Sequence, residues 1–190
     1  MALFFMWSYI LFCKNLLSKH KFNTDWATDM QLRSLYLTAL ISLPLSASAE
    51  QAQWAVNAGV FDAFRSNTSA EVGFEYRFSA QPNILGLIPA IGLSFNDDGA
   101  YWAHAGMRYD FSLSKNWLLT PNFSIVGYEK GAGKDLGGGL HFRTGLELAY
   151  QLESHSRIGL GIYHLSNANL HRRNPGAESV YLTYSFSPKH

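Results

Sequence analysis

From residue 52 onward the chain alternates, and the alternation is what most restricts its fold. In the run 69–79, Val72, Phe74, Tyr76 and Phe78 share one parity, and Glu71, Gly73, Glu75 and Arg77 share the other. In 99–112, Tyr101, Ala103, Ala105, Met107, Tyr109 and Phe111 oppose His104, Gly106, Arg108 and Asp110. A period of two places successive side chains on opposite faces of a β-strand. Eight such runs follow one another: 52–62, 69–79, 83–96, 99–112, 115–129, 137–152, 156–168 and 177–187. No helical period separates them. There is no internal repeat, low-complexity tract or linker, so one all-β domain is expected.

The polarity of the two faces decides which kind of β protein this is. One face is apolar, with aromatics toward its ends; the other carries glycines and opposite charges. A soluble barrel turns the apolar face inward. A membrane barrel inverts this, with apolar residues toward lipid and polar ones toward the lumen. The runs are 11 to 16 residues long, about twice the usual soluble strand and long enough for a tilted membrane span. Charged residues are 15% of the chain and aromatics another 15%, as a lipid-facing surface requires. The expected fold is an eight-stranded antiparallel transmembrane β-barrel of the outer membrane.

Three connections are tight, 79–83, 112–116 and 153–156. They alternate with the longer 62–68, 129–137 and 167–176; 96–99, "NDDG", should be long by this rule and is short. Short turns of such barrels face the periplasm and longer loops face outward, which puts residues 164–178 at the outer rim. Inside, the groups Glu71, Glu75 and Arg77, Arg108 and Asp110, and Arg143 and Glu147 are expected to form the ion-paired filling of a lumen too narrow for a pore.

The N-terminal part reads separately. "MQLRSLYLTALISLPLSASAE" (30–50) has a basic start, an apolar stretch and an Ala-x-Ala site, the pattern of a secretory signal cleaved after Ala49. Residues 1–29 are then an over-long N-terminal reading, 30–49 the signal peptide and 50–190 the catalytic barrel. Cys13, the one cysteine, falls in the removed part, so the exported chain has no disulfide or thiol chemistry. It carries 11 Lys+Arg against 12 Asp+Glu, and it has no basic stripe. That balance excludes a nucleic-acid binder.

One stretch breaks the apolar face. In the seventh strand Ile158, Leu160 and Ile162 are the outward set, and His164 and Ser166 continue it. In the eighth, Val180, Leu182, Tyr184 and Phe186 are outward, and Glu178 shares their parity. Three polar, reactive side chains therefore point toward lipid, provided that no bulge intervenes, at positions where polar groups are costly. His164 and Ser166 lie two residues apart on one face, about 6.6–7 Å between backbones. If the last two strands pair as a hairpin, Glu178 can stand across from His164, with side-chain bases about 5 Å apart. That is nucleophile, base and orienting carboxylate. Asn167, Asn174 and the backbone of Gly176 are candidate oxyanion donors. His104, His141 and His155 show no trustworthy metal-ligand spacing, and "GAGK" (131–134) lacks the rest of a phosphate loop.

The stretch "YHLSNANLHRRNPGAES" and its flanks, about 156–187, resemble the outer-membrane lipid A 3-O-deacylases of the PagL family. The resemblance implies Ser166 as nucleophile, His164 as base and Glu178 as orienter, with Asn167 and Asn174 at the oxyanion. The implied reaction removes the ester-linked 3-hydroxyacyl chain at position 3 of lipid A in the outer leaflet, with no metal or cofactor. Lipid A, as lipopolysaccharide, would be the partner. An outer-membrane phospholipase, or a non-catalytic structural or adhesion barrel, are the alternatives.

Overall fold

The computed structural model describes residues 51–66, 68–152 and 155–188. The expected signal peptide and the segment before it lie outside the described residues. The chain forms β1 (Gln53–Phe61), β2 (Ser69–Arg77), β3 (Ile88–Asn96), β4 (Tyr101–Arg108), β5 (Phe111–Ser112), β6 (Trp117–Glu129), β7 (Leu140–Gln151), β8 (Ser156–Ser166) and β9 (Ala177–Phe186). Each pairs antiparallel with its neighbour, β4 and β5 both pair with β6, and β1 pairs with β9. The sheet is thus a closed barrel of eight wall positions. The β1–β9 and β4–β6 pairings close the wall, the condition for a sheet in lipid.

Two expected strands are cut differently. The run 99–112 is interrupted at Tyr109 and Asp110, which separates β4 from β5. The register on β6 is the same on both sides of the gap, so nothing has slipped. Tyr109 donates its N–H to Pro121 O (3.1 Å), and Pro121 has no N–H to return. The expected strand 83–96 begins only at Ile88. Pro82–Ile84 is a single 3₁₀ turn, and Leu85 and Gly86 follow with positive φ. The tight turn expected at 79–83 is therefore the longer connection 78–87.

Outward residues run in the expected parity, exposed and apolar. At the end that carries both termini of the barrel they form an aromatic girdle: Trp54 on Tyr76 (4.8 Å), Tyr76 on Phe78 (4.8 Å), Trp117 on Tyr150 (5.1 Å) and Tyr184 on Phe186 (6.0 Å).

The lumen is filled in zones. At its centre Glu75 bonds Arg77 (2.8 Å), Arg108 (2.9 Å), Arg143 (3.1 Å) and His104 (3.0 Å). Glu147 bonds Arg77 (2.8 Å), Arg108 (2.7 Å) and the Tyr163 hydroxyl (3.0 Å). The charged filling is as expected, and its ion pairs run across the barrel: Arg143 reaches Glu75, and Asp110 pairs with Arg157 at 2.6 Å. Glu71 has hydroxyl partners, Tyr181 and Ser179. The tyrosine ring of Tyr163 lies so close to the wall that a Cβ at Gly145 would stand 2.2 Å from it, and one at Gly161 2.5 Å; glycine is required there. Toward the other end the filling turns apolar, with Phe61, Trp102, Val126, Tyr128, Leu136, Leu165 and Ala177 packed together.

Candidate active site

The condition on which the outward placement rested is met. The β8–β9 register runs unbroken from Ser156↔Phe186 to Leu165↔Ala177, with His164 directly opposite Glu178. No bulge turns the strand. Tyr163 and Leu165 are buried in the barrel, and His164 and Ser166 between and beyond them face outward, as does Glu178. His164 Nδ1 lies 3.1 Å from Glu178 Oε1. The two side chains are 30% and 23% exposed, enough to meet a substrate from the lipid side. A carboxylate is an acceptor only, so it holds the proton on Nδ1 and leaves Nε2 as the acceptor nitrogen.

Ser166 ends β8, one step nearer the rim than His164 on the same face, and its β7 partner is Phe142. Its hydroxyl has no hydrogen-bond partner among the described residues. Catalytic hydrogen bonds are often open without substrate. Gly176, buried and with φ +64°, lies over the imidazole edge, and a Cβ there would stand 3.0 Å from His164 Cε1. Glycine thus keeps the space beside Nε2 clear.

The asparagines divide their work. Asn167 is fully buried. Its Nδ2 donates to Leu136 O (3.0 Å) and to Arg173 O (2.7 Å), and its Oδ1 accepts Asn169 N–H (3.0 Å). Both amide hydrogens are spent on the scaffold. The expectation that this side chain faces an oxyanion gives way to a staple: its inward parity carries it under the loop, where it stabilises left-handed Ala168 and Asn169 (φ 51° and 64°). Asn174 Oδ1 accepts the backbone N–H of Asn167 (3.0 Å), and its Nδ2 donates one hydrogen to Asn169 Oδ1 (3.2 Å). Nδ2 carries two hydrogens.

Neighbouring loops brace the site. Ala63 N–H donates to Glu178 O (2.8 Å), one residue out of the β1–β9 register after left-handed Asp62, and Arg65 Nη2 donates to Pro175 O (3.2 Å). Lys134 Nζ meets Asp62 at 2.6 Å. The 130–139 loop sends Leu136 into the barrel mouth. Asp135 accepts Gly137 N–H (2.8 Å) and pairs with Arg173 (3.3 Å). The Gly137 N–H, with Arg173 beside it, holds the Asp135 carboxyl below its usual range.

One residue escaped the sequence reading. Thr144 of β7 is paired with His164 on the side away from Glu178, and it shares the outward parity. Its parity among Leu140, Phe142, Leu146, Leu148 and Tyr150 was the available signal. Among the described residues, no group of three or more His, Cys, Asp or Glu side chains is arranged to hold a metal ion.

Residues 106–187 match the family model described as Lipid A 3-O-deacylase (PagL). A relative from Bordetella bronchiseptica named Lipid A deacylase PagL is 24% identical over 167 residues, covering 79% of this chain and 94% of its own. Among solved structures, the one described as the crystal structure of the outer membrane enzyme PagL superposes with a TM-score of 0.56 at 16% identity, covering 72% of this chain and 99% of that one. A de novo designed transmembrane β-barrel reaches 0.55 at 9% identity, covering 73% and 96%. The superpositions speak for the barrel alone, since a designed protein fits as well as a natural enzyme. The family model covers β7, the strands that carry the triad candidates and the loop between them, and with the named relative it makes this part of the chain similar to the PagL lipid A 3-O-deacylases.

Proposed function

We propose that this chain is an outer-membrane lipid A 3-O-deacylase that works at the outer leaflet through Ser166, His164 and Glu178. The observation that carries the reading is the His164–Glu178 pair, 3.1 Å apart on a lipid-facing wall. Such a pair has no part in filling the barrel, and charge facing lipid is expensive.

In this reading His164 Nε2 takes the proton of Ser166 Oγ as Oγ attacks the carbonyl carbon of the ester at position 3. The imidazolium that forms is held by Glu178. The carbonyl π electrons move to oxygen. Asn174 supplies a donor for that oxyanion through the second hydrogen of Nδ2, and the backbone N–H of Gly176 supplies another. The tetrahedral intermediate collapses: the bond to the sugar oxygen breaks, and His164 returns its proton to that oxygen. Water, activated by the same imidazole, then releases the 3-hydroxy fatty acid from Ser166. Every proton moved is held by this chain's own groups or by water.

Mass spectrometry of lipid A from an outer-membrane-bearing host tests the reading. Expression of the wild type should remove one 3-hydroxyacyl chain. Ser166→Ala should abolish that loss, with a fall of about 10⁶ in turnover, in a barrel that retains its heat-modifiable migration. Unaltered lipid A with the folded wild type, or continued loss with Ser166→Ala, would refute it.

A further inference from the structure

Beside the triad, the lipid-facing wall carries one further polar group contiguous with it. Leaving tyrosines and tryptophans aside, the polar side chains of outward parity in the described strands are Glu129, Thr144, Ser156, His164, Ser166 and Glu178. Glu129 ends β6, and Ser156 begins β8 at the far end of the barrel, covered by the Tyr184 hydroxyl (3.2 Å). The other four are contiguous. Thr144 flanks His164 from β7 as Glu178 flanks it from β9.

Nothing in the fold asks for a hydroxyl at 144. Its partner across β6 is Phe123, its neighbours along β7 are Phe142 and Leu146, and Phe123 stacks on Phe142 at 5.9 Å. Its hydroxyl has no partner among the described residues. Valine has the same shape and equal strand preference, without an unpaired polar group turned toward hydrocarbon.

We propose that Thr144 recognises the hydroxyl at C3 of the acyl chain and makes the site selective for 3-hydroxyacyl esters over plain acyl esters. The inference rests on the deacylase reading above. With the ester carbonyl at Ser166, the acyl chain runs from the rim toward the membrane interior. Thr144 lies one step deeper than Ser166 in that direction, because Ser166 is level with Phe142 and His164 with Thr144. Diagonal neighbours on adjacent strands are about 7–8 Å apart. The two carbons from the carbonyl to C3, with a contact at either end, span that gap. Beyond C3 the chain meets Leu146 and Ile162, both apolar and outward.

The test uses the full barrel in detergent micelles and two synthetic lipids. Both have the same glucosamine head and differ only in a 3-hydroxytetradecanoyl or a tetradecanoyl ester. The wild type should prefer the hydroxylated ester. Thr144→Val should lower the ratio of the two kcat/KM values about tenfold, the worth of one neutral hydrogen bond, and Thr144→Ser should restore it. Equal losses on both esters would overturn the proposal and make Thr144 a positioning residue for His164. An unchanged ratio, or a wild type indifferent to the hydroxyl, would overturn it while leaving the deacylase reading intact. If folded wild type cleaves neither ester, the deacylase reading itself fails.

Discussion

Two polar clusters share strands β7, β8 and β9 and differ only in parity. Arg143, Glu147, Tyr163 and Ser179 face the lumen; Thr144, His164 and Glu178 are their neighbours in the chain and face outward. The inner cluster is tied by ion pairs, with Glu75 and Glu147 each shared among several partners. The outer one has the His164–Glu178 pair and, among the described residues, two hydroxyls without a hydrogen-bond partner, those of Ser166 and Thr144. Groups bonded to one another rigidify a barrel. Groups held in place with lone pairs and hydrogens to spare can meet a substrate. The same strand thus carries structure on one side and the proposed chemistry on the other.

That contrast can be broken from either side. The largest expected effect after loss of Ser166 is at its orienter. Glu178→Gln keeps the shape and loses the charge, and deacylation should fall by about 10⁴, with thermal unfolding barely moved. A large loss of stability instead would erase the distinction between the clusters. On the inner side, Glu147→Gln should act the other way: it leaves Arg77 and Arg108 buried beside one fewer carboxylate. We expect a cost of about 3–5 kcal/mol, measured as a lower urea midpoint, while activity per folded molecule is retained. Asn167→Ala stands between the two. It removes three hydrogen bonds beneath the loop, and each buried group left unpaired costs about 1–3 kcal/mol. It should reduce kcat more than it raises KM, because the Arg173 carbonyl and the Asn169 N–H on either side of Asn174's contacts lose their tie.

The smallest effect belongs to Asp135. Its carboxyl is held below the usual range, so its contribution is complete above the ordinary carboxylate pKa and fades as pH falls through the lowered value. The amide protection of Gly137 should weaken in that acid window and nowhere else. Persistent protection at low pH would show that Arg173 and the Gly137 contact hold the loop without the charge.

Parity explains what could be read from sequence and what could not. His164, Ser166 and Glu178 were legible because they interrupt an apolar face, and the same count gave the strands and the side of the wall. The inward parity of Asn167 was also visible, yet adjacency to Ser166 outweighed it; two residues in a row on a strand cannot both face out. Thr144 was passed over because a lone threonine is ordinary in strands. Only the strand register, which brings residue 144 beside 164, gives it meaning. The lumen pairs were beyond reach for a related reason: closure sets Arg143 against Glu75, 68 residues apart in the chain. Leu136 belongs to a loop, where no period announces direction, and the β4–β5 break depends on Pro121 on the facing strand.

The aromatic girdle makes the barrel a depth gauge. Phe186 of that girdle is paired with Ser156, and Ser166 is ten residues further along β8. At about 3.4 Å per residue and a tilt near 40°, the girdle and the nucleophile stand roughly 26 Å apart along the bilayer normal, close to the height of the apolar band of such barrels, about 25 Å. With the girdle moored at one water boundary, Ser166 comes to rest at the other, where the ester linkages of a glycolipid begin. If Ser166 is the nucleophile proposed above, a thicker bilayer would submerge it beneath those linkages and a thinner one would lift it above them, so membrane thickness itself becomes a variable in the rate.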